Sequence, residues 1–152
     1  ANVTGKKGGG ALLFAVVGAK LSEGLNFSDS LARAVVVVGL PYANLGSAEL
    51  KERMKYVREA ARSAPAPGRI PVRDAGLELY ENLCMKAVNQ SIGRAIRHKS
   101  DWAALILLDK RYASPQIRRK LPRWIDEELK VAANFGAAVK HLGAFYRTKR
   151  NG

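Results

Sequence analysis

NQSIGRAIRHKSDWAALILLDKRY, Asn89 to Tyr112, sets a glutamine and two arginines just ahead of an unbroken apolar run. That run, ALILL from Ala104 to Leu108, is short and bounded by polar residues, the pattern of a strand buried on its faces. The segment before it has helical spacing. With Gln90 at zero and ~100° per residue, Arg94 falls at about +40°, Arg97 at about −20° and Lys86 at about −40°. Cys84, Val88, Ile92, Ala95 and Ile96 fall between about 120° and 240°, so the apolar stripe lies opposite. A helix from about Leu77 to about His98 is therefore predicted, packed through the stripe and presenting a ridge of donors.

Outward from this unit the same alternation recurs. RAVVVVGLP, Arg33 to Pro41, reads as a second buried strand, its four valines favouring β structure and Pro41 stopping it. ALLFAVVG, Ala11 to Gly18, reads as a third, bounded by glycines, behind the glycine-rich lead-in of residues 1–10. Between strands, Ser47 caps a helix carrying Leu50, Met54, Val57 and Ala61 on one side. Residues 64–76, with three of the six prolines, form a loop insert. Beyond the last strand, Asp109-Lys110-Arg111 is a polar turn. Ser114-Pro115 opens a helix, Leu121-Pro122 breaks it, and Trp124 to Leu129 make another turn or two. Asn134 to Arg150 form an amphipathic helix with Phe135, Val139, Leu142 and Phe145 on its apolar side. Strands alternating with helices predict an α/β fold, a mainly parallel sheet covered by helices, over residues 11–150. Three strands make a small sheet, so further strands are expected upstream of Ala1.

Composition narrows the partners. The chain has 152 residues, 47% of them hydrophobic and 26% charged, which suits one globular domain. Lys plus Arg number 26 against 13 Asp plus Glu, a net charge of +13 that favours a polyanion. One cysteine, Cys84, excludes an internal disulfide, and two distant histidines, His98 and His141, suggest no metal centre. No apolar run reaches membrane-spanning length. Lys6 and Lys7 before ALLFAVVGA echo a signal peptide, but the run reads as a buried strand.

The ridge carries chemistry of its own. From Lys86 onward no acidic residue stands three or four positions from Lys86, Gln90 or Arg94, and Arg97 has only Asp101, four residues on. Unpaired like charges at that spacing disfavour a helix slightly, so a missing anion accounts for them economically. Arginine's planar fork suits phosphate oxygens, and a neighbouring glutamine can orient a water or a phosphate. Gly93 beside Arg94 removes a side chain, which suits close approach of a ligand.

QSIGRAIRH, Gln90 to His98, resembles motif VI of superfamily 2 helicases, pattern Q-x-x-G-R-x-x-R. AKLSEGLNFSD, Ala19 to Asp29, resembles motif V of their XPD-like iron–sulfur branch, S-E-G-(I/L)-(D/N)-F. The intervening order, a strand, motif V, RAVVVVGLPY, a helix, the insert, motif VI, ALILLDKRY and LPRWI, also matches from Gly10 to Phe145. ENLCMKAVNQSIGRAIRH, with NFSD in place of the commoner DFSD, is most similar to the cohesion-linked chromosome-loss helicases, with the FANCJ-like helicases as the alternative.

The resemblance implies a RecA-like second motor domain of an ATP-dependent, 5′-to-3′ DNA helicase in the nucleus. Such proteins work on single-stranded or forked DNA, with cohesion and replication-fork proteins as possible partners. It implies ATP and Mg²⁺ in a cleft shared with a first motor domain in cis. A 4Fe-4S cluster belongs to that first domain, and the lone Cys84 here cannot hold one. It gives Arg97 the role of arginine finger, Arg94 its support, and Gln90 a contact to phosphate or attacking water. It links Gly24, Asn26 and Gly93 to the nucleotide, and Ser22, Glu23 and Gly24 to the DNA backbone. Lys20, Arg69, Arg73, Arg118, Arg119, Lys120 and Arg123 are candidates for a single-strand track, though each taken alone reads as a solvated charge. Trp102 and Trp124 are read as packing residues. No G-x-x-x-x-G-K-[ST] occurs in the chain, so it is expected to be inactive alone. A non-enzymatic basic domain using the same arginines as a phosphate clamp, or a phosphate-binding regulatory domain, stays open on the residues themselves.

Overall fold

The computed structural model describes residues 10–17, 31–63, 74–96 and 101–151. Motif V at residues 19–29, the insert at 64–73 and the segment 97–100 lie outside the described residues.

Two strands are present among them, β1 (Ala34–Val38) and β2 (Ala104–Leu108), paired in parallel from Ala34 opposite Ala104 to Val38 opposite Leu108. β-Branched valine favours the extended backbone of β1. At its end Gly39 takes a φ of 74°, a left-handed position open to glycine, and its N–H donates to the Leu108 carbonyl at 3.1 Å. The chain then passes through α1 (Ala48–Ser63) and α2 (Ala75–Ile92) before returning as β2. Ser47 caps α1 as predicted, its Oγ accepting from the Leu50 N–H at 3.4 Å, and Leu50 and Met54 are buried.

The core lies between α2, one face of the sheet and the short helices beyond β2. Val35 and Val37 of β1 and Leu105 and Leu107 of β2 point into it, opposite Cys84, Met85, Val88 and Ile92 of α2. Val88 is 0% exposed and Ile92 1%. Full burial of each such aliphatic side chain contributes roughly 1.5–3 kcal/mol. After β2 come a 3₁₀ turn (Lys110–Ala113), α3 (Pro115–Arg118) and α4 (Arg123–Glu128), which deliver Tyr112, Ile117, Leu121 and Ile125 to the same core. Ser114 caps α3 and Pro115 takes its first turn, as the sequence predicts, and Pro122 starts α4.

Three expectations need correction. Residues 11–17 form no strand among the described residues, and Leu12, Phe14 and Val16 are exposed, Phe14 at 83%. An apolar run states that a segment favours burial, but not that a ladder partner is at hand. Second, among the described residues one face of the sheet is covered and the other only at its start, where Ala104 is buried and Ile106 half-buried. Val36, Val38 and Leu108 are exposed on the other, Val38 at 77%. A run of four valines lacks the alternation that would have told one face from two.

The third correction concerns α5 (Phe135–Asn151), capped by Asn134, whose side chain accepts from the Ala137 N–H at 2.9 Å. Phe135 and Val139 are exposed, and only Leu142 and Phe145 of the predicted apolar side are half-buried. The helix docks instead through an aromatic corner. Trp102, Phe145 and Tyr146 meet edge to face with centroids 5.3–6.2 Å apart, and the Tyr146 hydroxyl donates to the Arg33 carbonyl at 2.8 Å. Arg33 lies 4.2 Å from the Trp102 ring centroid and bonds Asp101. Trp102 is thus a packing residue, whereas Trp124 is half exposed.

Candidate functional site

The position of α2 sets the site. Asp74 starts the helix two residues earlier than predicted, accepting on Oδ1 from the Gly76 and Leu77 N–H groups at 2.7 and 3.2 Å. Arg58 of α1 donates to the same oxygen at 2.8 Å and holds the Asp74 carboxyl below the usual range. The helix also ends earlier, at Ile92 with Gly93 as cap, so Arg94 lies beyond it and not on it. The reason is local. After Gly93 the backbone tightens to i→i−3 bonds, from Arg94 N–H to the Ser91 carbonyl at 3.3 Å and from Ala95 N–H to the Ile92 carbonyl at 3.1 Å.

The ridge survives this change of backbone. Gln90, Gly93, Arg94 and Ile96 line one hollow of about 400 Å³. Most of the predicted stripe lies behind it, with Cys84, Val88, Ile92 and Ala95 all buried. Ile96, expected on the stripe, is instead half-buried in the wall of the hollow, because the tightened turn carries it round to that side. Lys86 is exposed one turn earlier on α2 and lines an adjoining hollow of about 640 Å³ with Asn82, Met85, Asn89, Gln90, Arg119 and Lys120. Gln90 belongs to both. Among the described residues, the side chains of Lys86, Gln90, Arg94 and Arg119 have no hydrogen-bond or ion-pair partner.

Three neighbouring cations, Arg118, Lys120 and Arg123, differ. Arg118 donates to Asp126 at 2.5 Å, Arg123 to Glu127 at 2.7 Å, and Lys120 is held by Glu78 and Asn82 with Glu81 at 3.7 Å. Three of the proposed track residues therefore already have partners within the chain, and among the described members of that group only Arg119 has none. Of the remaining sequence candidates, Arg97, Lys20, Ser22, Glu23, Gly24, Asn26, Arg69 and Arg73 lie outside the described residues.

Two features near the sheet were not singled out from sequence. At the carboxyl ends of the strands Arg111 forks onto Asp109 at 2.9 and 2.7 Å, which lowers that carboxyl to about 2. Arg111 also lies 5.6 Å from the Tyr42 ring, and Tyr42 stacks on Tyr80 at 4.8 Å. The spacing D-x-R directly after a strand was the available signal. Cys84 lies beneath this corner, where burial raises its thiol to about 11, so it stays protonated and inert at neutral pH.

Chemically, an open hollow edged by an unpartnered guanidinium and a primary amide can neutralise and orient an anion. It supplies neither a nucleophile nor a general base. Among the described residues no cluster of His, Cys, Asp or Glu is placed to hold a metal ion, and no helix is long and apolar enough to cross a membrane.

Comparison with known proteins places the chain in a family. The helicase C-terminal domain family matches residues 2–128. The chain is 54% identical over 139 residues to the human putative ATP-dependent DNA helicase DDX11-like protein 8, covering 91% of this chain and 15% of that protein. It is 52% identical to the mouse ATP-dependent DNA helicase DDX11, covering 92% of this chain and 15% of the relative. Against the ATP-dependent DNA helicase chl1 of Schizosaccharomyces pombe the identity is 49%, over 91% of this chain and 16% of the relative. The chain thus spans less than a fifth of each of these proteins. With its parallel α/β core and an uncompensated arginine at the end of α2, the chain belongs to the helicase C-terminal domain family.

Proposed function

We propose that this chain is the second motor domain of an ATP-dependent DNA helicase and completes an ATP site held mainly by the first. The supporting observation is the unpartnered Arg94 beside Gln90, over a hollow that faces away from the core. A phosphate fits that donor set. The carboxylate and hydroxyl ligands that Mg²⁺ prefers are not gathered there, so the metal ion is assigned to the partner domain's side of the cleft. ATP supplies the phosphoryl group, and this chain's residues stabilise charge as the cleft closes. Arg97 acts as the arginine finger, Arg94 supports it, and Gln90 holds the phosphate or the attacking water. A guanidinium aimed at developing phosphoryl charge contributes ~10³–10⁵ in rate in enzymes of this kind.

The finer reading rests on the motifs and on the relatives' names. Lys20, Ser22, Glu23, Arg69 and Arg73 contribute to a single-strand track, and Gly24, Asn26 and Gly93 link it to the nucleotide. Asn26 replaces the carboxylate of most relatives, so it is assigned proximity and no chemical step. Translocation runs 5′ to 3′ on single-stranded or forked DNA in the nucleus, in cohesion, replication and repair. The whole protein carries a 4Fe-4S cluster outside this chain.

The test uses the full-length helicase that carries this chain. Arg97→Ala and Arg94→Ala each abolish ATP turnover while nucleotide binding, read with a fluorescent ATP analogue, persists. Normal hydrolysis by the Arg97→Ala protein refutes the finger assignment. Robust ATPase activity from this chain alone refutes the two-domain account.

A further inference from the structure

Lys86 and Arg119 line the larger hollow from different elements, Lys86 from α2 and Arg119 from the turn after α3. We propose that this hollow receives an acidic segment of the first motor domain and latches the two domains closed beside the nucleotide. The inference rests on the reading of Gln90 and Arg94 above.

Four observations lead there. The nearby acids are already engaged, Glu78 with Lys120, and Glu81 with Lys120 and Gln116. Lys86 and Arg119 are left without a counter-charge among the described residues. Second, Gln90 is shared with the hollow holding Arg94, and Lys86 precedes it by four residues, about one turn or 5.4 Å along the axis. A domain that brings a phosphate to Arg94 therefore passes close to Lys86. Third, the walls hold two free cations and three amides over Met85, with no aromatic side chain. Grooves for single-stranded nucleic acid combine cations with stacking rings, which this hollow lacks, while its two cations suit the carboxylates of an acidic segment. Fourth, the floor between the two cations is tied down. Asn89 donates to the Lys120 carbonyl at 3.0 Å, and the Lys120 ammonium is tied to Glu78 and Asn82. A fixed floor leaves only the two cation side chains to be ordered on docking.

Lys86 and Arg119 are positioning residues, acting on closure and not on the phosphate. The test is Lys86→Gln with Arg119→Gln in the full-length helicase, beside Arg94→Ala and wild type. Both side chains are exposed, so thermal melting should match wild type. Support is a roughly five- to fifty-fold fall in kcat for DNA-stimulated ATP hydrolysis, the loss of two interface charge pairs, with KM for ATP and affinity for single-stranded DNA unchanged. The wild-type kcat should fall with added salt, and the double variant should be flat. An unchanged kcat with an inactive Arg94→Ala protein overturns the latch and leaves the ATP-site reading intact. An active Arg94→Ala protein removes the reading on which the latch depends. If instead DNA affinity drops and the slope of log K against log salt loses about 1.4, two contacts at about 0.7 each, the hollow binds nucleic acid and the latch is wrong.

Discussion

Gly93 offers a way to separate what the fold needs from what the site needs. Its φ of −63° and ψ of −8° are ordinary for any L residue, and a Cβ there would meet the Asn89 carbonyl oxygen at 3.4 Å and that of Gln90 at 3.7 Å. Both distances are normal van der Waals contact. Neither backbone strain nor crowding within the chain demands glycine. Gly93→Ala should therefore stabilise this domain by about 0.4–1 kcal/mol, because the unfolded chain loses freedom and the folded one tolerates the methyl. For a domain of this size that raises Tm by about 1–4 °C. The same methyl would stand in the hollow of about 400 Å³ that Gly93 shares with Gln90 and Arg94. A displacement of a reacting group by about 1 Å costs on the order of 10²-fold in rate, so ATP turnover by the full-length protein should fall by about that factor. Thermal unfolding of the domain and steady-state ATP hydrolysis by the whole helicase are the two assays. A lowered Tm would refute the backbone argument. Undiminished turnover would show that the glycine is not there for close approach, and that the phosphate sits elsewhere.

Ile92→Ala removes a side chain 1% exposed at the last turn of α2 and should cost about 2–5 kcal/mol in urea unfolding; a loss below about 1 kcal/mol would mean the stripe does not anchor the helix. The Asp109–Arg111 pair predicts a pH effect. The hydrogen bond from Arg111 lowers the folded carboxyl from 3.8 to about 2, so its contribution to stability is complete above 3.8 and is lost as pH falls toward about 2. In Arg111→Met the carboxyl should titrate near its ordinary value, followed by carbon NMR of the Asp109 side chain. An unmoved titration would assign the shift to the backbone N–H of residue 111 instead.

The sequence was legible wherever a periodic pattern met a partner on the page. ALILL and AVVVV pair as predicted, Ser47 and Ser114 cap as predicted, and the stripe from Cys84 to Ala95 is buried. It was misread where burial depends on something other than the segment itself. ALLFAVVG and the Phe135 side of α5 are as apolar as elements that pack, yet their side chains are exposed among the described residues. The paired state of Arg118 and Lys120 was likewise invisible, whereas Glu127 at i+4 from Arg123 stood in view. The acids of Arg118 and Lys120 stand 8 and 42 residues away, and only folding brings them near.

The helix wheel named the right group of donors while assuming the wrong backbone, and the geometry explains how. A helix that ends in i→i−3 bonds advances about 120° per residue instead of about 100°. Over Gly93, Arg94 and Ala95 the error grows by about 20° at each step. Ala95 then moves from about 140° to about 200° relative to Gln90, still within the buried stripe, and it is buried. Arg94 moves from about 40° to about 80°, away from the crest and toward the core side. That is where the structure has it: half-buried at the rim of the hollow, with Gln90 fully outside and Ile96 as the opposing wall. A guanidinium at the rim with no side-chain partner of its own among the described residues is open to an anion that reaches into the hollow, as the proposed terminal phosphate held by a second domain would.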